Sequence, residues 1–217
     1  KYLPGNVWHY YGRIMAAKNA NIPNNIATLS VLLEPLLMLA AGLIIIVIFG
    51  SQLIVNKLNF NVVILQFLAL LIVLGVLDPR CLNPVMQLLD RWKNKKSHGE
   101  NQLIDVFIIK HYPVKPLLGE LVFLGLRTSG FILTMLAVNA LSWQQIPLLV
   151  GTFSCAWVLG LVVPGAPGGL GVFETTAILL LQYHLPAAVV ISAIALYRLI
   201  SILAETAGAA LAWLLKK

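Results

Sequence analysis

An apolar run that breaks and restarts, LVVPGAPGGLGVFE at 161–174, constrains this chain more than any other stretch. Pro164 and Pro167 lack an N–H and restrict the residue before each of them, so a helix arriving from the N-terminal side must stop there. Gly165, Gly168, Gly169 and Gly171 permit positive φ and close backbone approach. In hydrocarbon every amide and carbonyl needs a partner, so irregular backbone is tolerated only where protein buries it or where it lines a wet cavity. A second helix, predicted from about Leu170, opens with unpaired N–H groups and the positive end of its dipole, which suit anionic groups. Glu174, in the first turn, complements that dipole. A plain Pro/Gly turn joining two ordinary membrane helices has equal standing on physics alone, since both residues are common in such helices.

Hydrocarbon is the relevant solvent because the chain is 59% apolar and 11% charged with a mean hydropathy of +0.89, whereas soluble domains carry about 25% charged residues. The fold class predicted is all-α: a polytopic transmembrane bundle with broken or re-entrant helices, residues 1–217 forming one integral membrane domain. Leu29 to Gly50 is the first clear span, 22 residues long, or about 33 Å of helix against a core of about 30 Å. Phe60 to Leu77 is a second, without charge. Pro116 to Leu141 and Ile146 to Val163 are the third and fourth, Leu170 to Tyr183 is short for a crossing, and Pro186 to Leu215 is the last. Residues 1–30 mix aromatics, cations and prolines with apolar runs too short to span, which predicts an interfacial or re-entrant segment with Trp8, Tyr10 and Tyr11 in the headgroup layer.

The net charge of +7 does not point to nucleic acid, because the cations cluster between apolar spans, where they set topology and meet anionic headgroups. Residues 78–115 carry seven cations against four acids, so this basic loop is predicted to be cytoplasmic. Two stretches within it, PVMQLLDRW and QLIDVFIIKHY, have the spacing of short surface helices. If the broken segment crosses the membrane, Lys216 and Lys217 fall on the side of that loop; if it is re-entrant, they fall opposite. The positive-inside rule favours the crossing.

Glu34, Glu120, Arg127, Glu174, Arg198 and Glu205 lie in or at the edges of apolar spans, where each costs about 2.5–3.5 kcal/mol at a helix centre. Such groups face the protein interior or a water-filled cavity and pair with one another. Glu120 and Arg127 are seven residues apart, as are Arg198 and Glu205, which separates each pair by about 10.5 Å along its helix. Partners on other helices are therefore expected, forming a polar seam among the third, broken and last spans. That seam reads either as a structural ion-pair network or as a path for a charged substrate or headgroup. Glu34 and Glu120, nearest the span ends, can also reach the interface.

There is no GxSxG elbow, HExxH pair, GxxxxGK[ST] loop or CxxC pair, and GAPGGLG does not follow a strand in a βαβ unit. His9, His98, His111 and His184 are scattered over different segments, and Cys81 and Cys155 make neither a disulfide framework nor a ligand pattern. No catalytic residue, cofactor or metal is predicted, and the chain does not read as an enzyme.

PGGLGVFE, followed by an arginine 24 positions after its glutamate, resembles the signature of the lysylphosphatidylglycerol synthase transmembrane-region family, which includes the flippase half of the multiple peptide resistance factor. The opening KYLPGNVWHYYGR resembles the same family's first re-entrant motif, and Ser30 to Glu34 its following element. By motif match the resemblance carries over Pro4, Gly5, Arg13, Glu34, Pro167, Gly168, Gly169, Gly171, Glu174 and Arg198, whereas Phe173 stands where the family often has a polar residue. It implies the membrane part alone, in a bacterial inner membrane with several crossings and without the aminoacyl-transferase domain. Relatives usually have further helices upstream, so the chain reads as a fragment. The function implied is binding of a phospholipid or related amphipathic lipid and its movement between leaflets through a polar intramembrane cavity. The alternative is a non-catalytic accessory subunit for a lipid-modifying or glycosyl-transferring enzyme. The partners expected are membrane lipids, with a second copy or such an enzyme also open.

Overall fold

In the computed structural model the described residues are 24–50, 60–84, 111–163 and 169–215. The N-terminal motif with Pro4, Gly5 and Arg13, the surface-helix stretches of the basic loop apart from Pro84, His111 and Tyr112, and Pro167 and Gly168 of the break lie outside them. The described chain is helical, with α1 at Asn24–Phe49, α2 at Phe60–Val76, α3 at Val114–Val138, α4 at Ile146–Val162, α5 at Val172–Leu181 and α6 at Ala187–Leu215. Helical residues 79–84 follow α2, and a 3-10 turn at Trp143–Gln145 leads into α4.

Each helix arises where a run of straight-chain and branched apolar residues meets no interior Gly/Pro cluster. The boundaries follow capping chemistry. At the 3-10 turn the Ser142 N–H donates to Gln145 Oε1 at 3.0 Å, while the Gln145 N–H donates to the Ser142 carbonyl O at 3.0 Å. Helix α1 begins at Asn24, five residues before the predicted span, and includes Pro35. Helix α5 begins at Val172 because Gly169 and Gly171 take φ values of +72° and +86° and cannot continue a right-handed helix.

Among the described residues three segments are long and apolar enough to cross a membrane: Val114–Val138, Trp143–Val162 and Ala187–Leu215, of 25, 20 and 29 residues. The outer surface is apolar too. Leu65, Leu71, Leu126, Leu133, Leu203 and Leu211 are each more than half exposed, the reverse of a soluble protein's outside and suited to lipid tails.

Helix α1 packs on α2, α3 and α4, and α6 packs on α3 and α5. Gly42 on α1 lets α4 approach so closely that an added Cβ would lie 2.3 Å from Val158 Cγ2, the small-residue device by which helices pack when lipid leaves no hydrophobic drive between them. Beside the membrane-length helices, the Tyr112 hydroxyl donates to Leu74 O at 3.2 Å and ties the start of α3 to α2. Burial and the nearby Asp78 carboxylate push that phenol above the usual tyrosine range.

The core is aromatic. Phe131 on α3, Phe153 on α4, Phe173 on α5 and Tyr197 on α6 come from four helices and contact one another with centroids 5.4–6.2 Å apart, four of the contacts near-perpendicular. Edge-to-face geometry aligns the positive ring edge with the negative face of its neighbour.

Candidate functional site

The break folds the chain back on itself. Gly169 packs on Gly160 near the end of α4, Phe173 reaches Phe153 further toward its start, and α5 therefore runs antiparallel to α4. The backbones touch: a Cβ on either glycine would lie 3.3 Å from the other's Cα. The returning helix has 10 residues, about 15 Å, and α6 then runs antiparallel to it, with Tyr197 stacked on Phe173 at 6.0 Å.

Glu174 does two things at once. Its Oε2 accepts the Gly171 N–H at 2.7 Å, closing one of the four orphan donors at the start of α5, and its Oε1 accepts Arg198 Nε at 2.6 Å. The Thr175 hydroxyl adds a bond to Gly171 O. The anion at this helix terminus is thus the chain's own carboxylate, which takes the Gly171 N–H that the sequence reading left open to an external anion. Arg198 in turn donates from Nη2 to Gly169 O at 3.3 Å and lies 4.9 Å over the Phe173 ring. One guanidinium therefore holds the carboxylate, the irregular backbone and the ring together. Phe173 offers its ring face where the family often has a polar residue.

A second pair lies nearby. Arg127 Nη2 donates to Glu205 Oε1 at 2.6 Å, joining α3 to α6, and its guanidinium rests against Phe123 at 5.4 Å and Trp157 at 5.5 Å. Phe123 and Trp157 meet edge to face at 6.2 Å, and Trp157 stacks on Phe153 at 5.8 Å, so the pair is continuous with the aromatic core. Both arginines pair across helices, in keeping with a seven-residue spacing too long for a bridge within one helix. The two pairs differ in their surroundings. The Arg198–Glu174 side chains are 18% and 26% exposed and bonded to backbone, whereas those of Arg127–Glu205 are 20% and 35% exposed.

Glu34 and Glu120 are half-buried on α1 and α3, the helices that share the cluster of Leu37, Ala40, Ala41 and Leu117. Among the described residues no three His, Cys, Asp or Glu side chains gather where they could hold a metal. Sequence reasoning missed Trp157, Phe173 and Tyr197 as members of the seam. The available signal was adjacency: Phe173 precedes Glu174, Tyr197 precedes Arg198, and Trp157 puts a polar-tipped ring inside an apolar span.

The glycines of the break supply a test. Gly171→Ala meets open space and incurs only the positive φ, about 1–2 kcal/mol. Gly169→Ala incurs the same and also drives a methyl against the Gly160 backbone. Thermal melts in detergent are expected to rank wild type above Gly171→Ala and that above Gly169→Ala; equal melting of the two variants would remove the close-approach argument.

A family model described as "Lysylphosphatidylglycerol synthase TM region" matches residues 12–208. No curated protein and no solved structure matches the chain.

Proposed function

Since the chain belongs to the lysylphosphatidylglycerol synthase transmembrane-region family, and is therefore an integral membrane protein, we propose that it binds an amphipathic phospholipid and moves it between leaflets along the polar seam beside the broken helix. One observation carries this reading. Two arginine–glutamate pairs lie within an apolar bundle, linked by aromatic rings, and one of them adjoins irregular backbone. A headgroup leaving water needs fixed polar partners to replace its hydration, and intramembrane ion pairs next to a helix break supply them. In this scheme Arg198–Glu174 holds the break in shape, while Arg127–Glu205, the more exposed pair, opens to exchange Glu205 for the headgroup. The proposal places the protein in a bacterial inner membrane with the 78–115 loop on the cytoplasmic side, where its cations meet anionic lipid.

Glu205→Gln keeps the side-chain shape and removes the charge that must re-pair with Arg127 for the headgroup to leave. In liposomes carrying a fluorescent phospholipid, the variant is expected to move lipid at least about tenfold more slowly than wild type, at equal protein yield, this being the effect of about 1.4 kcal/mol on the release step. Unchanged movement would sink the lipid path. The second reading, an accessory subunit whose ion pairs are structural, is favoured by the backbone bonds of Glu174 and Arg198. It predicts instead a lower yield of the variant and loss of a co-purifying enzyme.

A further inference from the structure

The Arg127 end of the seam has more hydrogen-bond donors than acceptors. Trp157 Nε1–H and the Tyr197 hydroxyl are buried without a hydrogen-bond partner, and Tyr197 as a whole is only 5% exposed. Buried polar groups in folded proteins are nearly always bonded, and leaving one unpaired costs about 1–3 kcal/mol. Both side chains border the same guanidinium. Arg127 lies over the Trp157 ring at 5.5 Å, and the Tyr197 side chain stands beside Arg127. The Tyr197 ring edge reaches the α3 backbone at Gly130, one helical turn from Arg127. A guanidinium has five N–H donors, and Glu205 Oε1 takes one at 2.6 Å.

We propose that Arg127, Trp157 and Tyr197 form a receptor for a phosphate oxyanion, the phosphate of a lipid headgroup. This rests on the lipid-binding reading above and adds to it which part of the lipid is recognised, and where. Three kinds of donor occur on neighbouring side chains here: a cation, an indole N–H and a phenol O–H. An ammonium group needs acceptors there, and the two carboxylates of the seam, Glu174 and Glu205, are each already bonded to an arginine. A phosphate offers oxygens to all three donors, and Arg127 can present it with a bidentate fork. The Arg198 end is less suited, because Arg198 already holds a carboxylate, a backbone carbonyl and a ring face. The aromatic slab behind Trp157 and Tyr197 excludes water, which strengthens each of these bonds.

The test uses the whole chain in a maltoside detergent, free of phosphate, with native mass spectrometry counting bound molecules. Three probes are titrated: dioctanoyl phosphatidylglycerol, dioctanoylglycerol with the same tails and no phosphate, and inorganic phosphate. Wild type is expected to retain the phospholipid and not the diacylglycerol. Trp157→Phe and Tyr197→Phe keep the rings and remove one donor each, and each is expected to weaken phospholipid binding about tenfold, as loss of a hydrogen bond to a charged group does. Arg127→Gln is expected to abolish it. Inorganic phosphate competing at equal affinity would keep the oxyanion site but assign it to free phosphate. Phospholipid affinity unchanged in both phenylalanine variants overturns the receptor while leaving the lipid path standing. Equal retention of phospholipid and diacylglycerol by wild type overturns the receptor likewise. No retention of any lipid by wild type overturns both.

Discussion

Replacing Arg198 with alanine is expected to lower the melting temperature of the detergent-solubilised protein by about 6–12 °C, the shift that about 3 kcal/mol produces in a chain of this size. Three contacts disappear together: the 2.6 Å bond to Glu174, the 3.3 Å bond to Gly169 O and the cation over Phe173. Removing one member of a buried pair costs about 3–5 kcal/mol because the other charge stays behind. The low end applies here, since Glu174 is 26% exposed and keeps its bond to the Gly171 N–H. Arg198→Lys separates charge from geometry. A lysine retains the cation but lacks the planar fork that reaches carboxylate and carbonyl together, so about half of the loss is expected to remain. Scanning fluorimetry over the three proteins decides the matter. A melting temperature unmoved by Arg198→Ala would mean that the break keeps its shape without the guanidinium.

Phe153→Ala is expected to cost about as much or more, about 3–5 kcal/mol, from a different source. Phe153 is fully buried and its ring meets Phe131, Trp157, Phe173 and Tyr197 at 5.4–5.8 Å. In a bilayer the transfer of apolar surface out of lipid contributes little, so the loss is one of dispersion and ring-edge contacts across a cavity. The same ring stands between the two ion pairs, with Trp157 leading to Arg127 and Phe173 to Arg198. Phe153→Ala is therefore expected to lower the melting temperature and to weaken phospholipid retention together, whereas Phe153→Leu, which refills most of the volume, should recover most of both. Loss of stability with full retention would separate the aromatic core from the binding seam.

These two effects depend on features of unequal legibility in the chain. The position of Arg198 and its relation to PGGLGVFE could be read from spacing, and so could its need for a partner off its own helix. Phe153 could not be distinguished from the other large residues of a span that is apolar on every side. Its importance comes from the rings that three other helices bring to it.

What the amino-acid sequence determined by itself is the apolar spans among the described residues, the break and the family. Bilayer thickness makes the length of an apolar run a direct statement about a span, and the spans predicted at 29–50, 60–77, 116–141 and 146–163 lie within a few residues of α1 to α4. Prolines and glycines act locally, so they stop α4 and delay α5 to Val172 whatever surrounds them. Only the tertiary structure decided which glutamate meets which arginine, that Glu174 caps its own helix, and that Trp157 and Tyr197 stand beside Arg127. Those outcomes depend on how each helix is rotated about its axis and which ridge enters which groove. A helix that is apolar all round carries little record of its rotation; the rotation is set by the close approaches at Gly42 and Gly160 and by rings meeting across four helices.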